Sequence, residues 1–202
     1  MKKGLKCWIL LFMLALVTVG CATSQPARFY TLNAISKPEP DNASSVVTGK
    51  TEIIGVGPVS IPDSLDRPQI VTLSGENEVR IAEFDRWSGG SYRDEIARVM
   101  TENLAVLLPS QRVVSYAWGR RVSLNRQITV DILRLDGVLG KTVILKANWA
   151  ILEESGTKTI LVRRSDISEP VNGGDYASLA AALSRALGTL SREIAAAAQS
   201  PK

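Results

Sequence analysis

The residue of this chain best suited to covalent chemistry is Cys21. It ends the stretch Val17-Thr18-Val19-Gly20-Cys21, directly behind a small residue. Ahead of it runs an uncharged segment from Cys7 to Gly20, preceded by Lys2, Lys3 and Lys6. A basic start, an apolar run and a small residue before a cut are the layout of a secretory signal. Cleavage after Gly20 makes Cys21 the first mature residue, with its thiol and new α-amine available for modification. The apolar run is shorter than the ~20 residues a membrane-spanning helix needs. An uncleaved N-terminal helix is the alternative, and no later segment is apolar enough to span.

Other chemistries lose their residues. The 202-residue chain has no histidine, which excludes a Ser-His-Asp triad, a Cys-His pair and a His-ligated metal. Cys7 leaves with the signal, so the mature chain has neither a disulfide nor a CxxC site. Glu83 and Asp85 are a conceivable carboxylate pair for glycoside hydrolysis. One short stretch rarely supplies both groups at the needed separation, and nothing nearby would raise a pKa. Ser88 and Ser91 lack the Gly-x-Ser-x-Gly frame and the base of a nucleophile elbow. The residues therefore point to a protein without catalysis and without a cofactor.

Charge gives a second exclusion. The 24 basic residues fall to 21 once Lys2, Lys3 and Lys6 are removed, against 20 acidic ones. The apparent basicity belongs largely to the signal, which argues against a nucleic-acid partner. Two stretches remain as candidate partner-binding positions. Leu65-Asp66-Arg67-Pro68-Gln69 reads as an exposed loop, and loops carry much of protein function. Its alternative is local: Asp66 and Arg67 pair with the fold or each other, and Pro68 sets the turn. Arg86-Trp87 has the residue types of an interface anchor. Its alternative is a Trp87 that plugs the end of a sheet with Arg86 packed on it.

The elements that must position these residues form an α+β domain. Phe29 to Leu32 reads as a short strand after a polar tether, and 37–45 as linker. Residues 52–61 read as a strand with a bulge or an edge at Gly55, Gly57 and Pro58. Short strands over 69–73 and 78–82 follow, with 83–90 as a loop. Ser91 is an N-cap for a helix over about 91–108, stopped by Pro109. After a short strand at 112–116, a meander alternates through 127–135, 142–152 and 158–168, with Trp149 in its core. Asp175 caps a last helix over 175–198, whose Tyr176, Leu179, Leu183, Leu187, Leu190 and Ile194 form one apolar stripe. The expected architecture is a largely antiparallel sheet with both helices on one face. The division is 1–20 signal peptide, 21–50 N-terminus, tether and first strand, and 51–199 a single domain.

Val17 to Cys21 resembles the lipobox of bacterial lipoproteins, with Thr18 where Leu is commonest. Further motifs follow in order: Phe29-Tyr30-Thr31-Leu32, Val59-Ser60-Ile61-Pro62, Leu65 to Val71, Phe84-Asp85-Arg86-Trp87, Ala147-Asn148-Trp149 and the helix opened by Tyr176. As an ordered set they resemble the PqiC-type lipoproteins, auxiliary components of MCE-type envelope lipid transport systems. The resemblance implies a non-enzymatic adaptor, its N-terminus at 21–50 lipidated by acylation of Cys21 and held in outer-membrane lipid facing the periplasm. It implies an inner-membrane or periplasmic MCE-domain protein as partner. Ala22, in place of Asp, implies sorting to the outer membrane. A ring-shaped partner would favour a homo-oligomeric ring. The rival readings are a stand-alone periplasmic lipid carrier or chaperone and, further off, an envelope hydrolase.

Overall fold

The computed structural model describes residues 25–36, 52–75, 77–108, 112–117, 123–153 and 156–199. The signal at 1–20, Cys21, the linker at 37–45 and the Pro109 stop lie outside the described residues. Eight strands and two helices follow in the order β1 (Arg28–Tyr30), β2 (Ile53–Ser60), β3 (Gln69–Leu73), β4 (Val79–Trp87), α1 (Tyr92–Leu107), β5 (Arg112–Ser115), β6 (Arg126–Gly137), β7 (Thr142–Glu153), β8 (Lys158–Pro170) and α2 (Tyr176–Gln199).

The α+β class is as expected, and the strands divide between two sheets. The larger has the order β5-β2-β6-β7-β8, the smaller β1-β4-β3. The meander β6-β7-β8 is antiparallel throughout. Three pairings are parallel: β1 with β4, β2 with β5, and β2 with β6. Parallel neighbours need a long crossover. They are invisible in local alternation, which shows only that a strand exists. The same limit explains the stretch 83–87, which continues β4 where a loop was expected. Its tail pairs with β1, Arg28 lying opposite Asp85.

The glycines of β2 mark a bulge and not an edge: the register against β6 shifts between Val56 and Val59, and β2 lies between two partners. Gly57 takes φ +124°, and a Cβ there would lie 2.5 Å from Cβ of Tyr116. Only glycine fits that conformation and that gap.

Both helices cover the larger sheet, with α1 against β2 and β5 and α2 against β7 and β8. The Ser91 hydroxyl accepts from the Asp94 N–H at 3.2 Å and caps α1. The Asp175 carboxylate accepts from the Ser178 N–H at 2.7 Å and caps α2. The apolar stripe of α2 is buried from Leu179 to Ala198, and Trp149 is buried as expected. Where the helices meet, the Asn103 amide donates to the Ser191 hydroxyl at 3.1 Å, and Ser191 donates to the Leu187 carbonyl at 2.8 Å. Both side chains are fully buried, where polar groups need partners within the protein.

Residues 31–36 cross both helices, with side chains in the place of a neighbouring strand. The Leu32 N–H donates to Glu95 Oε1 at 2.9 Å, Asn33 N–H to Ser184 Oγ at 3.0 Å, and Ile35 N–H to Asn103 Oδ1 at 2.7 Å. At Gly188 the strap passes over α2, and a Cβ there would make ordinary contact with Ile35 at 3.4 Å. Residues 31–36 are thereby fixed to the helical face.

Candidate functional site

The loop from Leu65 to Gln69, the end of β4 and the start of α1 come together. Pro62 and Leu65 accept the backbone bonds that shape the loop, from Leu65 N–H at 2.9 Å and Arg67 N–H at 2.8 Å. The Pro68 carbonyl accepts from the Trp87 N–H at 2.7 Å, which ties loop to strand. Both stretches singled out in the sequence are thus one structural unit.

Within it the candidates separate. Asp66 faces the fold: Oδ1 accepts from the Ser91 hydroxyl and the Arg93 N–H, each at 3.3 Å, and its carboxylate pairs with Arg93. A carboxylate over the first turn of a helix is favoured by the exposed N–H groups and dipole there. Trp87 is 3% exposed and stacks on Tyr92, the ring centroids 4.6 Å apart and the planes 10° from parallel. Burial, and then Asp136, raise the Tyr92 pKa. Leu65 is half-buried and joins Trp87, Tyr92, Val71 and Leu135 around a cavity of about 10 Å³, the space of a single water centre. These three residues secure the small sheet to the helices.

Pro68 is exposed, and Arg67, Gln69 and Arg86 are half-buried. Register places Phe29, Arg86 and Gln69 side by side across β1, β4 and β3, so their side chains share one face. Phe29 is 64% exposed, which makes that face the outer one. The Nε atoms of Arg67 and Arg86 are buried without a hydrogen-bond partner, and neither guanidinium pairs with a carboxylate among the described residues. Phe29 was not a candidate from sequence. Its signal was an aromatic beside a cation in a strand next to the tether, which reads equally well as core.

The opposite face of β1 is occupied by internal bonds. Arg28 reaches Asp85 Oδ1 at 2.8 Å and Oδ2 at 3.1 Å, and the Tyr30 hydroxyl donates to Oδ1 at 2.8 Å. Burial, and then the bond to Asp85, raise the Tyr30 pKa. Asp85 is thereby committed as an acceptor to β1, while Glu83 is exposed. The pair imagined as an acid and a base is divided between a structural bond and solvent.

Glu95 is the buried carboxylate that sequence reasoning missed. Burial on its own would raise its pKa. Bonds from Arg98 at 2.8 Å, Thr31 at 2.5 Å and the Leu32 N–H hold it below the ordinary 4.5. A depressed folded pKa means that the unfolded chain takes up the proton first. The contribution to stability is therefore complete above 4.5 and is lost as pH falls through the folded value. Urea midpoints of the wild type and Glu95→Gln should differ most near neutrality and converge in acid below that range. A gap independent of pH would show that the charge is not what holds the strap.

Among the described residues no helix is long and apolar enough to cross a membrane. The model of the family described as "ABC-type transport auxiliary lipoprotein component" matches residues 30–195. A comparison with curated proteins gives no match. Among solved structures, an uncharacterized protein is 16% identical with a TM-score of 0.70, covering 87% of this chain and 100% of that one. A Xanthomonas campestris protein of the DUF330 family model is 17% identical with a TM-score of 0.62, covering 83% and 92%. At these identities the two structures speak to fold alone, and the family match extends over nearly all of the folded domain.

Proposed function

Since the chain belongs to the family of ABC-type transport auxiliary lipoprotein components, we propose that it is a non-catalytic adaptor on the periplasmic side of the outer membrane. Membership of that family places the chain at the cell envelope as a lipoprotein working with a transporter. In our reading residues 1–20 are the signal, Cys21 carries the acyl chains, and the folded domain receives the distal end of an MCE-type tube. Copies of the domain would form a ring where the tube is itself a ring.

The observation that carries this reading is the family match over residues 30–195. The packed interior supports an adaptor over a stand-alone carrier. Pockets for small molecules run to ~300–1,000 Å³ and are mostly apolar. The enclosed space beside Trp87 is about 10 Å³, and the spaces of about 440 and 370 Å³ are open surface grooves lined largely by polar and charged residues such as Arg185, Arg192, Arg98 and Glu102. To shield an acyl chain from water a carrier would have to open the packed core beside Trp87.

The test is a crosslinked pull-down of the acylated protein from envelopes. An MCE-domain protein should be recovered with it, and recovery of a permease or ATPase without one would overturn the tube as the partner. Stoichiometric binding of a labelled phospholipid by the delipidated protein would favour the carrier.

A further inference from the structure

We infer that the outer face of the small sheet, carrying Phe29 and Arg86 and flanked by Arg67 of the loop before β3, lies on the phospholipid surface that holds the acyl anchor. The inference rests on acylation of Cys21. Phe29 is eight residues from Cys21, a fully extended reach of at most ~29 Å. Gln25, where the described chain begins, is only four residues away, or at most ~14 Å. The strap at 31–36 prevents the tether from paying out further, because its N–H groups are bonded to Glu95, Ser184 and Asn103. The small sheet is thus the part of the fold that the anchor keeps beside the bilayer.

Its surface has the chemistry of that place. Of six exposed large apolar side chains among the described residues, Phe29, Val79 and Ile81 belong to this sheet of 17 residues, which is a small share of the domain. Phe29 lies beside Arg86 in the sheet, and Arg67 is in the loop that leads into β3, two residues before Gln69. Neither arginine has a carboxylate among the described residues. A guanidinium presents a planar fork of donors that suits phosphate oxygens. An aromatic ring next to it suits the boundary between headgroups and acyl chains. Arg28 and Arg93 do not join them, being paired with Asp85 and Asp66.

The experiment places the acylated full-length protein in vesicles of phosphatidylethanolamine and phosphatidylglycerol doped with doxyl-lipid quencher. With Cys21 acylated and Cys7 removed, a new cysteine is the single free thiol. An environment-sensitive fluorophore is attached at Phe29→Cys or at Val162→Cys. Val162 is 65% exposed and lies eight residues along β8 from Pro170, at the end of the large sheet away from Gly137 and Trp87. We expect several-fold stronger quenching at 29 than at 162, together with a blue shift at 29. Equal quenching at both positions, or quenching at neither, in vesicles that float with the protein, would overturn the inference. A blue shift at 29 without quenching would indicate a protein partner and overturn it too. Failure to float would overturn the acylation of Cys21 itself, a separate result that removes the premise. Arg67→Gln with Arg86→Gln should reduce the quenching at 29 while flotation and far-ultraviolet dichroism stay unchanged. Retained quenching in that variant would remove the arginines from the contact.

Discussion

Cys21→Ser is expected to move the protein from the membrane to the soluble fraction, with the membrane-bound share falling at least about tenfold. The reason is that attachment depends on buried methylenes, each contributing about 0.8 kcal/mol. A single chain of ~14 carbons binds only with a constant of roughly 10⁴ M⁻¹, so lasting attachment needs more than one chain. Serine keeps the size of the residue and loses the thiol that accepts the lipid. Among the described residues the fold offers no apolar helix able to substitute for the anchor. Fractionation of envelopes, with mass spectrometry of the N-terminal peptide, reads the result. A variant still bound to membranes and released by high salt would show that the surface of the domain suffices. Wild type without acyl mass on Cys21 would refute the anchor directly.

Trp87→Ala is expected to cost about 3–5 kcal/mol, as large aromatic truncations in cores do. The ring is buried, stacked on Tyr92, and borders a cavity too small to absorb a collapse. A cycle with Tyr92→Leu should give a coupling of about 0.5–1.5 kcal/mol. Arg86→Ala, one residue earlier but on the outer face, should stay within about 1 kcal/mol. Denaturant midpoints of the wild type, the two single variants of the cycle, their double variant and Arg86→Ala measure these effects. The contrast separates two residues that are adjacent in sequence and were candidates together. A Trp87→Ala protein of unchanged stability that lost its partner would restore Trp87 as a contact residue.

Much of this was legible beforehand where the signal is local. Ser91 and Asp175 read as caps because a side-chain oxygen ahead of an apolar period has one good use. The meander was legible because period-2 alternation shows in each strand separately. The end of β4 was not, since residues 83–87 take their strand character from β1, with Arg28 and Asp85 57 residues apart. Glu95 and Asn103 bond to strap residues 63 and 68 positions away. Only the strap passing over them explains why they are buried.

By itself the sequence determined the class of element, the caps, the α+β composition and the motif set that marks the family, because each is a pattern among near neighbours. It also offers Cys21, behind an apolar run, as the residue we propose to be acylated, since a signal segment is read as linear chain. Tertiary structure alone decided the division into two sheets, the parallel pairings and the strap that binds the tether to the helices. It also decided which of two neighbours faces outward. Arg86 and Trp87 differ by one position in a strand, and a step of one position reverses the side of the sheet. Which side is buried depends on what a distant segment places against it, and here Tyr92 and the start of α1 occupy the side of Trp87.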